Sequence, residues 1–67
     1  MFEVDAKKIR GLMFATKLTV TDIANSAGIA PATLANALRD GARANIATIS
    51  KIADVFKIDG ETLILHK

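Results

Sequence analysis

The chain has 67 residues, 51% of them apolar and 24% charged, with a formal net charge of +2 and a pI near 9.3. That is one small domain near the lower limit for a single core, and with no cysteine and one histidine neither a disulfide nor a zinc cluster can staple it, so packing, helped by dimerisation, must supply the stability. The mild basicity permits nucleic-acid binding without demanding it, no apolar run reaches the ~18 residues of a membrane span, and MFEVDAKK lacks a signal-peptide pattern, which makes the cytoplasm the expected location.

A composition rich in alanine, leucine and isoleucine, without tryptophan or tyrosine, favours an all-α domain, and the elements read in chain order make it a compact bundle of four to five short helices. Asp5 is a natural N-cap for a first helix running to about Thr16. Ile9, Leu12 and Met13 form its apolar stripe, Phe14 or Phe2 is expected to cover the edge of that stripe, and Lys7, Lys8 and Arg10 lie outside. Gly11 inside this helix costs up to about 1 kcal/mol against alanine, so it either allows close packing or marks a weak spot.

Lys17-Leu18-Thr19 connects to a second helix, Val20 to Ala27, opened by Thr19 and Asp22 at the spacing of a capping box with aspartate in place of glutamate. Ile23, Ala24 and Ala27 gather on one face, while Thr21, Asp22, Asn25 and Ser26 stay outside. Gly28 stands where a helix ends in a left-handed residue, and Ile29 follows as the apolar contact that accompanies such a stop. Pro31, with no N–H and a helical φ, suits the first turn of a third helix that turns Leu34, Ala37 and Leu38 inward.

Asp40 to Ala44 reads as a polar loop with a glycine, and Asn45 as the N-cap of a fourth helix from Ile46 to about Lys57. Ile46, Ile49, Ile52, Ala53 and Phe56 are spaced as one broad buried face. The segment from Gly60 to Leu65 is either a short fifth helix capped by Asp59 or ends as a strand pairing with a second copy of the chain. Leu63, Ile64 and Leu65 are three consecutive apolar residues that one small helix cannot bury on a single face, which makes a homodimer interface the expectation and closure of the core the plainer alternative. No internal repeat or low-complexity segment interrupts the chain.

A tight crossing of two helices needs a small residue at the approach, a glycine four positions on, and apolar residues six and nine positions beyond the glycine. Ala24, Gly28, Leu34 and Ala37 meet that pattern. On these residues the sequence resembles the Cro/C1-type (Xre-like) helix-turn-helix family of phage repressors and bacterial regulators. The resemblance runs from about Ile9 to Ile64 and takes in IATISKIADVFKIDGETLI, which is similar to the family's fourth and fifth helices. It implies a lambda-repressor-like fold, a single domain over residues 1–67 with its motif at about 20–39. The implied function is sequence-specific binding of double-stranded DNA by a small regulator, a repressor acting as a homodimer on a palindromic operator, with no cofactor, metal, membrane or small-molecule ligand.

The family inserts the amino-terminal part of its third helix into the major groove, which sets Pro31, Ala32, Thr33, Ala35 and Asn36 against bases. Asn36 can bond bidentately to adenine, and the methyl groups of Ala32, Thr33 and Ala35 can meet thymine methyls. Thr21, Arg39, Arg43 and Asn45 are the phosphate candidates, Arg39 being also within reach of a base, and Asn45 acting together with the free N–H groups that open the fourth helix. Each is also the kind of residue that is ordinarily only solvated.

Two departures from the family pattern remove polar contacts. Val20 stands where the family often has a glutamine, and the third helix opens Ala30-Pro31-Ala32 rather than with a serine or threonine cap followed by long polar readers. They point toward reading of DNA shape, or toward modest affinity as a monomer. An enzyme is not expected, since His66 lies in a terminal tail, no Ser/His/Asp or carboxylate constellation is arranged, and a chain this short leaves little room for a pocket. The competing reading is a protein-binding helical module such as an antitoxin or anti-repressor partner, contacting its target through Ala30-Pro31-Ala32. A methionine just before the first helix suggests a complete small protein or an amino-terminal domain, and the length suggests a stand-alone repressor without an inducer-sensing domain.

Overall fold

The computed structural model describes residues 1–65 of the chain; His66 lies outside the described residues. The order is β1 (Phe2–Glu3), α1 (Ala6–Thr16), α2 (Val20–Ala27), α3 (Pro31–Ala37), β2 (Arg43–Ala44), α4 (Ile46–Val55) and a 3₁₀ turn (Gly60–Leu63). The domain is thus mainly helical, as its composition favours, with one minor sheet among the described residues.

Local chemistry sets the helix ends. Asp5 accepts the Lys8 N–H at 3.1 Å to open α1, and Asn45 accepts the Thr48 N–H at 2.8 Å to open α4. At α2 the box is reciprocal: Thr19 Oγ1 accepts the Asp22 N–H at 3.1 Å while Asp22 Oδ2 accepts the Thr19 N–H at 3.0 Å. The Thr19 N–H, and after it the Thr19 hydroxyl, hold the Asp22 carboxyl below the ordinary aspartate value. Gly28 stops α2 at φ 71°, where its N–H bonds Asn25 O at 3.3 Å and the Ile29 N–H bonds Ala24 O at 3.0 Å. These two bonds make a Schellman stop, and Ile29 packs on the core beside it.

The core is wholly apolar. Ile9 of α1, Ile23 and Ala24 of α2, Leu34 and Ala37 of α3, and Ile49, Ile52 and Ala53 of α4 are buried together with Val4 and Leu63, and no described polar or charged residue is buried. α2 lies against both α3 and α4, and α4 against the 3₁₀ turn, so α2 and α4 form the frame on which α3 is mounted.

Four expectations give way here. Phe14 does not cover the α1 stripe, since it is 88% exposed, and Phe2 is drawn into β1 and stays half exposed. Ile46 sits on the first turn of α4, ahead of the core, and is 51% exposed, while the helix ends at Val55 rather than near Lys57. The segment from Asp40 to Ala44 is not all loop: Arg43–Ala44 pairs antiparallel with Phe2–Glu3, with Phe2 opposite Ala44. At the carboxyl end the short-helix alternative is realised, and the extended residue after it pairs within the chain and not with a second copy. A 3₁₀ turn capped by Asp59 is followed by a bridge from Ile64 to Val4 of the same chain. Leu63 is buried in the chain's own core, so of the three residues expected at an interface only Ile64 and Leu65 present surface.

Gly11 is exposed, and a Cβ built there would meet nothing within 4 Å, so it serves no close packing. Gly11→Ala is therefore expected to raise stability by up to about 1 kcal/mol in urea denaturation. Gly28→Ala, at a positive φ, is expected to lower it by roughly 1 kcal/mol or more. The Asp22 carboxyl is lowered by folding, so its contribution is present above the unfolded value and fades as pH falls through the folded one. Denaturation curves of wild type and Asp22→Ala should differ at neutral pH and converge in acid, and a constant offset between them would contradict the box.

Candidate nucleic-acid interface

Burial of Leu34 and Ala37 fixes which side of α3 faces out. Pro31, Ala32, Thr33, Ala35 and Asn36 are all exposed, and residues 32, 35 and 36 share one face at helical spacing. Arg39, just past the helix, and Thr21 on the first turn of α2 are exposed as well. α3 opens at Ala30 with no side-chain cap and Pro31 in its first turn.

Beside α3 lies a shallow concavity that collects residues from three parts of the chain. Thr33, Asn36 and Ala37 line it from α3, Arg43 and Ala44 from β2, Asn45 and Thr48 from the start of α4, and Met1 from the amino end. Four of the nine residues singled out from the sequence, Thr33, Asn36, Arg43 and Asn45, therefore meet in one place. Pro31, Ala32 and Ala35 stand on the exposed part of α3 outside it, and Thr21 and Arg39 are likewise not among its lining residues.

Four members of the concavity were not anticipated there, the buried Ala37 and Ala44 and, with them, Met1 and Thr48. Met1 is there because β1 pairs with β2, which brings the Met1 carbonyl within 3.1 Å of Arg43 Nη2. No periodic signal marks a strand of two residues. Thr48 was within reach, since it stands three residues after the Asn45 cap and donates its N–H to that side chain.

Hydrogen-bond donors gather at this edge of the concavity. The Asn45 carboxamide oxygen is occupied by the Thr48 N–H, which leaves its Nδ2 as donor. The N–H groups of Ile46 and Ala47, in the first turn of α4, have no intrahelical acceptor, and the helix dipole adds partial positive charge there. One guanidinium N–H of Arg43 is spent on Met1, which orients the group, and its other donors remain.

A family description of the Cro/C1-type HTH DNA-binding domain matches residues 8–67, nearly the whole chain. The chain belongs to that family. The domain is therefore a DNA-binding one, and α2, the Gly28 corner and α3 are its two successive short helices joined by a tight turn. No curated protein and no solved structure matches the chain. No helix among the described residues is long and apolar enough to cross a membrane.

In this helix-turn-helix domain Asn45 closes α4 through its Oδ1, and the cap leaves Nδ2 unused. Asn45→Ala is expected to cost about 1 kcal/mol of stability, whereas Asn45→Asp retains the acceptor and the fold. Chemical denaturation of the two variants checks this, and equal losses would mean that the cap at 2.8 Å contributes nothing.

Proposed function

We propose that the chain is a sequence-specific regulator of transcription, a Cro/C1-like repressor that binds double-stranded DNA as a homodimer on a palindromic operator with α3 in the major groove. One observation carries the reading: in a Cro/C1-type domain, the exposed side of α3 adjoins a concavity lined by Thr33, Asn36, Arg43 and Asn45. Base readers and phosphate seats are therefore neighbours on one surface.

Asn36 reads a base edge with its paired donor and acceptor, adenine being the matching partner. Pro31, Ala32, Thr33 and Ala35 present apolar groups to thymine methyls. Arg43, Asn45 and the first N–H groups of α4 take a phosphate, and Thr21 and Arg39 take others and hold the register. Exposure of Phe2, Ile46 and Leu65, with Phe2 and Ile46 sharing a second concavity with Ile64, supports an apolar contact between two copies. The protein acts by binding and needs no cofactor.

A second reading, a protein-binding module of the antitoxin or anti-repressor kind, is favoured by the three exposed residues Ala30, Pro31 and Ala32 in a row. Selection from a random duplex pool separates the two, with enrichment of a palindromic motif expected. No enriched sequence would leave the protein-binding reading. On the selected site, Arg43→Ala should weaken binding to all duplexes and reduce the slope of log affinity against log salt by about 0.9 for each phosphate it no longer neutralises. Asn36→Ala should instead relax preference at one position of each half-site by about 1–3 kcal/mol. Uniform weakening on every sequence would remove Asn36 from the readers.

A further inference from the structure

The third helix is short for an element that must hold a fixed attitude to a duplex. It has seven residues, no side-chain cap at its start, and only Leu34 and Ala37 buried along its length. The N–H groups of Leu38 and Arg39, just past the helix, bond Leu34, Ala35 and Asn36 O, and the helix dipole gathers partial negative charge at this end, around the C-cap Leu38. Arg10 of α1 meets that end across 28 positions of sequence: Nη1 donates to Leu38 O at 2.7 Å and Nη2 to Asp40 Oδ1 at 3.2 Å.

We infer that Arg10 is a positioning residue for α3, a clamp whose guanidinium fixes the angle at which the helix presents its outer face while touching no DNA itself. The inference rests on the DNA-binding reading above. Arg10 neighbours Ile9, which is fully buried, so the base of the clamp is anchored in the core. Arg10 is not among the residues lining the concavity beside α3. The two arms are unequal. Asp40 is 91% exposed, so its ion pair is screened and contributes little, whereas the bond to Leu38 is short, charge-assisted and directed at the helix end. The fork makes both bonds from one planar group, which a lysine ammonium on a flexible stem does not reproduce.

The experiment compares wild type, Arg10→Ala and Arg10→Lys on the palindromic site selected with wild type and on an unrelated duplex, across a salt series, at a temperature where circular dichroism shows all three folded. Amide hydrogen exchange of the free proteins is read alongside. The expected result for Arg10→Ala is about a tenfold loss on the selected site, with affinity for the unrelated duplex and the salt slope unchanged. Arg10→Lys should behave like Arg10→Ala, and the amides of α3 should exchange faster in both while those of α4 do not. A slope lowered by about 0.9 would make Arg10 a phosphate ligand, and recovery by lysine would make charge alone sufficient; either overturns the clamp. Equal losses on both duplexes would reduce Arg10 to a stabilising residue. If wild type binds no duplex, the DNA-binding reading fails by itself, and unchanged exchange in α3 would then overturn the clamp separately.

Discussion

The left-handed residue at Gly28 is the constraint on which the rest depends. It turns the chain so that the Ile29 N–H bonds back to Ala24 O, and with that bond made, α3 can only leave across α2 rather than along it. Ala24, with no exposed surface, is small enough for the crossing, and Leu34 and Ala37 then fall on the core side. A Cβ added at Gly28 would strike nothing, so the demand there is on the backbone angle and not on space. The outward face of α3 is thus determined before any residue that faces outward is chosen. This is why Ala32, Ala35 and Asn36 can vary in chemistry without touching the fold.

A second tie makes the surface beside α3 rigid. The amino-terminal segment is held on both sides: the Val4 N–H bonds Ala42 O at 2.8 Å, while the Asp5 N–H bonds Leu63 O and the Leu65 N–H bonds Glu3 O, both at 2.8 Å. The segment between α3 and α4 is therefore fastened to the same strip of chain as the carboxyl end. Arg43 inherits this order through its backbone, paired opposite Glu3, and through its guanidinium, bonded to Met1. A cation held in place by the fold loses less rotamer freedom when an anion arrives than one on a free loop.

What could be read from the sequence was whatever repeats within a few residues. The Thr19–Asp22 box, the Asn45 and Asp5 caps and the Gly28 stop all act between residues at most five apart, and each stands where its spacing put it. Helix ends without a glycine differed in legibility: α1 ends at Thr16 as expected, with Lys17 left-handed after it, whereas α4 ends at Val55 and the chain turns at Lys57 with φ 57° without a compositional mark. Ile46 misled because a broad stripe on a helical wheel does not say where the core ends along the axis. Phe14 misled because its size suggested burial, while its place on the wheel, with Arg10 and Lys7, put it outside. The strands were invisible, since two residues carry no period, and the pairing joins positions about forty apart. For the same reason four of the site residues could be named but not gathered, and Met1 could not be named at all.

The chemistry of α3 decides which kind of recognition this domain can perform. Of the residues on its exposed side, only Thr33 and Asn36 carry hydrogen-bonding side chains; Pro31, Ala32 and Ala35 offer methyl and methylene surface. Such a face discriminates weakly by donor and acceptor pattern, because an alanine cannot penalise a wrong base by leaving a buried polar group unpaired. It gains in another respect, since alanine side chains have no rotamers to freeze and let the helix backbone approach the groove closely. Close approach would make affinity depend on groove width and on the path of the phosphates, the contacts proposed for Arg43, Asn45 and the start of α4. Under the proposed reading, discrimination on this surface would be shared between one asparagine and the shape of the duplex, and a second half-site would multiply a modest preference.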